Sequence, residues 1–314
     1  MTFVLVMVVP ALAFPWAAAA VARRLAGLLP PREASWTLAA TALLAAAGTI
    51  AALVGLFHVP FLASLEQVPL RRVLEVWPAV VPAAGAAGSV LLVQTVLLVR
   101  RWSAHRAVVE YAWRLAARGT VDDDLLVVAE DEVDAFALPG HRGRRGRIVV
   151  TSGMLNALKP GEREVLLAHE RAHLSARHHL FSLVVDLSTA VHPALRSLRE
   201  SLGFHLERWA DETAAAAVGD RKVAAAAIAR AALAGSPKRD TGAGYPLLSV
   251  ATGPVPQRVG ALLLPAPVAP RGGARRAGAV ALAVAVTVSA LAAIALAYGL
   301  HEYVEYAAVG VRAG

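Results

Sequence analysis

Four long apolar runs, residues 2–22, 36–57, 77–99 and 277–300, interrupt a chain that is otherwise crowded with charge. Each is close to the roughly 20 residues that a helix needs to cross the hydrocarbon core of a bilayer, so each predicts a transmembrane helix. In the first run Arg23 and Arg24 follow the apolar residues, the reverse of a signal peptide, so this segment is expected to be retained. The short flanks on one side of the predicted membrane carry Arg23, Arg24, Arg32, Arg100, Arg101, Arg106, Arg271, Arg275 and Arg276. Those on the other side carry only Arg71, Arg72 and Arg312. Because Lys and Arg beside spans stay cytoplasmic, this bias predicts a cytoplasmic region 100–276 and both termini outside.

That region changes period. Residues 104–119 read as helix. Three short β-branched runs, 125–129, 135–138 and 147–151, follow, separated by acidic or glycine-rich turns, and predict a small sheet with a basic hairpin tip. Helical patterning resumes over 161–179, 180–198 and 204–217, the last running on toward Leu233, and the Pro- and Gly-rich stretch 235–273 is expected to wind over the surface. Segment 180–198 is short, holds Asp186 and His192-Pro193 and ends in arginines, so a buried or interface-lying helix is expected, not a fifth span. The fold class that results is mainly α: a polytopic membrane protein with four transmembrane helices and a cytoplasmic α+β domain inserted between helices 3 and 4. Its boundaries are 1–99 for three helices, 100–276 for the domain, 277–300 for the fourth helix and 301–314 for a short extracytoplasmic tail.

Composition supports the membrane reading, with 57% hydrophobic residues and a mean hydropathy of +0.55. The net charge of +8 comes with no nucleic-acid-reading motif, so nucleic acid is not expected as a partner and anionic lipid headgroups are. With no cysteine, any metal must be held by His, Asp or Glu.

The stretch "EVLLAHERAHLSARHH" supplies such ligands. His169 and His173 are four apart, so on a helix their rings lie on one face and can address a single ion. Glu170, one step round, would point beside that ion, where a carboxylate can take a proton from a bound water. H-E-x-x-H also arises on ordinary polar helices, so a third ligand is needed. "HLERWADETAAA" offers Glu207 and Asp211, again four apart. Glu207 can complete a His-His-Glu site, and Asp211 can accept the second N–H of a ligand histidine. Had 180–198 crossed the membrane, Glu207 would lie opposite the histidines and no site could form. His178 and His179 read as solvated or headgroup-facing, and His205 falls on a different helical face from Glu207.

Taken together, "AFALPGHRGRRGRIVVTSGMLNAL", "LLAHERAHL" and "ERWADETAA" resemble the core of the membrane-embedded gluzincin zinc metallopeptidases, shared by the CAAX-processing and HtpX-type proteases and the BlaR/MecR-type sensor proteases. The similarity covers about 125–217, with an echo at "PVPQRVGALL", where Arg258 matches a recurrent arginine. The resemblance implies one Zn²⁺ on His169, His173 and Glu207, Glu170 as general base and Asp211 in support. Three spans before the domain and one after are similar to the BlaR/MecR arrangement, although its extracellular penicillin-binding sensor is not expected here. Asp134 stands where HtpX-like sequences commonly have Asn. The implied activity is a zinc-dependent endopeptidase of the bacterial cytoplasmic membrane acting on a protein substrate, such as a cytosolic repressor. The alternatives are HtpX-like quality control and a catalytically silent scaffold. By analogy with other gluzincins, the substrate is expected to add as a strand beside Arg147, Ile148, Val149, Val150 and Thr151, taken as a sheet edge.

Overall fold

In a computed structural model, residues 2–65, 78–117, 119–235 and 254–267 are described, with isolated positions between 69 and 75. The chain opens with α1 (Thr2–Ala26) and α2 (Pro31–Leu65), and α3 denotes Val80–Ala116. Of the described helices, α2 and α3 are long and apolar enough to cross a membrane. The fourth apolar run, 277–300, and the tail 301–314 lie outside the described residues. On α3 the apolar residues Val81, Val90, Leu92, Val93, Val96 and Val99 are exposed. A stripe of that kind is a liability in water and an ordinary surface in lipid.

No break marks residue 100, because α3 runs straight through it. Past the apolar stretch, its last turns carry Val109, Ala112, Trp113 and Ala116 onto one face of a four-stranded sheet, where they meet Leu126, Phe136, Leu138 and Val149. The strands are β1 (Thr120–Asp122), β2 (Leu125–Val128), β3 (Ala135–Leu138) and β4 (Arg147–Thr151), in spatial order β1-β2-β4-β3. β1 and β2 form a tight hairpin whose Asp123 adopts φ 50°, a left-handed conformation that aspartate tolerates. β1 is an element that the hydrophobic pattern misses, since three residues are too few to show a period. The period of two sends Ala135, Ile148 and Val150 to the opposite face, against Met154, Leu158, Leu166 and Ala231.

β4 pairs in parallel with β2 and antiparallel with β3. Arg147, Ile148, Val149, Val150 and Thr151 are therefore an interior strand, and the expectation that they form a sheet edge is corrected. Their backbone groups are bonded on both sides, and the outer strand on this side is β3. Alternation alone cannot distinguish an inner strand from an outer one when both carry apolar residues.

After a short helix, α4 (Ser152–Ala157), come α5 (Pro160–Ser175), α6 (His178–Val191), a 3-10 turn (Pro193–Arg196), α7 (Ser197–Val218), α8 (Arg221–Ala234) and α9 (Val255–Leu263). Proline at the first turn of α5 and Glu162, which accepts from Lys159 N at 2.9 Å, define its start. Arg177, at φ 55°, turns the chain from α5 into α6, and Gly219, at φ 78°, ends α7 in the left-handed conformation usual after a helix. Segment 180–198, expected as a buried or interface-lying helix, buries one face: Phe181, Val185, Val191 and Leu195 join Leu198, Leu202 and Leu206 of α7 against the alanines of α1 and α2. Alanine at positions such as Ala22, Ala42 and Ala46 lets these helices approach closely. Gln94 of α3 donates to Val191 O at 2.9 Å, and His192 Nε2 lies 3.1 Å from Leu12 O, so the end of α6 is tied to both α3 and α1. Within the stretch expected to wind over the surface, 255–263 is instead a helix that buries Arg258 and Leu262.

Candidate metal centre

Helix α5 presents His169 and His173 one turn apart, and α7 brings Glu207 up to them, as the spacing predicts. His169 Nε2 and His173 Nε2 face each other at 3.1 Å. Glu207 Oε2 lies 3.6 Å from the first and Glu207 Oε1 3.5 Å from the second. A tetrahedral Zn²⁺ with bonds of about 2.0–2.1 Å needs donors roughly 3.3 Å apart. The triangle of two imidazoles and a carboxylate fits that ion in size and in donor chemistry, and three such groups are gathered there.

Charge around the triangle is arranged to hold a cation. His169 Nδ1 lies 3.0 Å from Asp211 Oδ1, which leaves Nε2 as the nitrogen facing the centre. Burial pushes the His169 imidazole down, but Asp211 and Glu207 outweigh it and hold the group up at about 10. The two carboxylates thus call for positive charge where a metal would sit. Burial drives His173 the other way, to about 3, with only partial opposition from Glu207. It is neutral, as a ligand must be. Burial also works against ionising Asp211, yet Arg258 and His169 bring it down to about 2.

Arg258 is buried against both acids. It is 1% exposed and reaches from α9 to both carboxylates: NH1 is 2.9 Å from Glu207 Oε2, and NH2 and Nε are 2.7 and 2.8 Å from the two oxygens of Asp211. Burial opposes its charge as well, but Asp211 and Glu207 keep the guanidinium protonated. A bidentate fork on one carboxylate and a single contact on the other suits arginine and not lysine.

Glu170 is buried beside the triangle, and its Oε1 has no hydrogen-bond partner among the described residues. Burial raises its pKa to about 7, with His169 opposing and Glu207 and Asp134 reinforcing. A carboxyl with a free oxygen and an affinity for protons near neutrality can both accept and return one. Asp134, immediately before β3, is raised by burial to about 6; its own Oδ1 accepts from Ala135 N at 2.9 Å.

His178 departs from expectation. It is buried, not solvated or headgroup-facing: its Nδ1 lies 2.9 Å from His173 Nδ1 and its ring packs 4.6 Å from that of Trp209. His179 is half-buried. His205 is buried two residues before Glu207, edge-on to Phe204, and burial together with Arg208 takes it down to about 4.

Residues 104–232 match the family model of peptidase family M48, a family of metallopeptidases that are typically zinc-dependent. No curated protein and no solved structure matches the chain. The matched region holds α5 and α7 with His169, His173 and Glu207, the three residues of the donor triangle.

Proposed function

We propose that the protein is an integral-membrane, zinc-dependent endopeptidase that hydrolyses peptide bonds of a cytosolic or membrane-near protein. The observation that carries this reading is the donor triangle, with separations of 3.1, 3.5 and 3.6 Å and an acid of raised pKa beside it. His169, His173 and Glu207 would hold one Zn²⁺, which supplies Lewis-acid polarisation of a carbonyl and a more acidic water.

The chain's own residues would do the rest. Glu170 takes the proton of the attacking water on its unpartnered oxygen and returns it to the leaving amine, a use that its near-neutral pKa suits. Asp211 and Arg258 fix His169 and Glu207 so that neither must reorient during turnover. The extended substrate adds to β3, Ala135–Leu138, whose outer edge has no partner among the described strands. Asp134 leads into that strand and interacts electrostatically with Glu170, so a strand added there lies near the base.

A membrane location is supported by α2 and α3 and by the packing of α6 and α7 directly onto α1 and α2. Orientation follows the arginine bias, with the metal centre cytoplasmic and the bilayer as a permanent partner. The substrate class is a protein, either a cytosolic repressor as in BlaR/MecR signalling or membrane proteins under HtpX-like quality control.

The test compares purified wild type, Glu170→Gln and Glu207→Ala in detergent for zinc content and for cleavage of a bound protein. Zinc near one per chain in wild type and Glu170→Gln, reduced zinc in Glu207→Ala, and proteolysis in wild type alone are expected. No zinc in wild type would sink the reading. Proteins trapped on Glu170→Gln then separate repressor from quality-control substrates.

A further inference from the structure

The two histidine ligands are supported differently. His169 has a carboxylate, Asp211, on its second nitrogen, whereas His173 has another imidazole. Because His173 Nε2 faces His169 and Glu207, the proton of a ligating His173 sits on Nδ1 and is donated to His178 Nδ1, 2.9 Å away. His178 is 2% exposed, and its Nε2 has no hydrogen-bond partner among the described residues, so no second hydrogen bond competes for its orientation.

Packing fixes the His178 ring instead. Trp209, two residues beyond Glu207 on α7, lies 4.6 Å from it, and Phe181 lies 6.4 Å away on α6. Both of these rings are covered by the start of α2: Trp36 meets Phe181 edge-on at 4.8 Å, and the Arg32 guanidinium sits 5.7 Å over Trp209. A continuous chain of ring contacts therefore leads from Arg32 and Trp36 through Trp209 and Phe181 to His178, and from there by one hydrogen bond to His173.

We infer that His178 is a positioning residue for the ligand His173, and that the N-terminal end of α2 holds it in place, so metal retention depends on how α2 is docked. The inference rests on the proposed zinc site. Anything that shifts α2 relative to α6 and α7 would loosen His178 before it touched any ligand, and the effect would appear first as weaker metal binding.

Two substitutions separate hydrogen bonding from packing. His178→Asn places its amide oxygen the same number of bonds from the backbone as Nδ1 and keeps the acceptor while losing the ring. His178→Phe keeps a ring against Trp209 and loses the acceptor. In the full chain in detergent, with zinc affinity read by competition against a chromogenic chelator, His178→Phe is expected to weaken binding about 10- to 100-fold, as loss of such an outer partner typically does. His178→Asn should stay within a few fold of wild type. Trp36→Ala should weaken binding by about three- to tenfold, the worth of one edge-on aromatic pair. Wild-type affinity in His178→Phe, or a larger loss in Asn than in Phe, would show that the ring serves only as packing and overturn the inference while leaving the protease reading intact. Unchanged affinity in Trp36→Ala would overturn its α2 limb. A wild type that binds no zinc overturns both.

Discussion

Two buried regions of this molecule sit side by side on α7 and are built from opposite materials. Toward α1 and α2, α7 offers Leu198, Leu202 and Leu206 to a core of alanines and aliphatic residues. Toward α5 and α9 it offers Glu207 and Asp211 to His169 and Arg258, all nearly without solvent contact. The first region is held by close packing, in which many weak contacts share the work. The second is held by charge, where each group is tolerable only because the others are present. Removing one member of the apolar core leaves a hole; removing one member of the polar cluster leaves an uncompensated charge. The same helix therefore carries a tolerant face and an intolerant one.

The sharpest way to break this contrast is Arg258→Ala, which strands Glu207 and Asp211 in a dry site. A loss of about 3–5 kcal/mol in stability is expected, measured by thermal unfolding in detergent without added zinc. A loss below about 1 kcal/mol would mean that the acids are compensated by something else. Metal removal comes next. With free zinc at about 100 times Kd, binding stabilises the folded state by about 2.7 kcal/mol, so a chelator should lower the melting temperature of wild type and leave that of Glu207→Ala almost unmoved. On the apolar side, Ala42 is fully buried in α2, and Ala42→Leu should cost about 1–3 kcal/mol by overpacking, with zinc affinity unchanged. If zinc affinity fell as well, the two faces of α7 would be coupled more tightly than their separate materials imply.

The smallest effect sharpens the comparison through pH. Asp134 is raised from 3.8 to about 6, chiefly by burial, so the folded state holds its proton more tightly than the unfolded chain. Stability is then lost as pH rises from about 4 through 6. Asp134→Asn keeps the acceptor for Ala135 N and carries no charge. It should gain about 1–2 kcal/mol above pH 6 and nothing below pH 4, read from melting temperatures at both pH values. A gain that did not change with pH would remove burial of charge as its cause.

What the sequence alone determined is what repeats over a few residues. Apolar runs of the right length announced the helices that became α1, α2 and α3, and β-branched runs announced β2, β3 and β4. Spacing of four put His169 with His173 and Glu207 with Asp211 on shared helical faces, because a helix returns to the same side every 3.6 residues. Tertiary structure decided the contacts between distant segments. It made β4 interior and β3 the outer strand, which no period records. It folded α9 out of a Pro- and Gly-rich stretch and drove Arg258 onto two acids 47 and 51 positions earlier in the chain. It also turned His178 inward to His173, although the sequence shows only a histidine after a polar turn. Local spacing fixes which side chains share a face, but a buried charge or an unpaired ring nitrogen finds its partner only when the packing of whole helices excludes water around it.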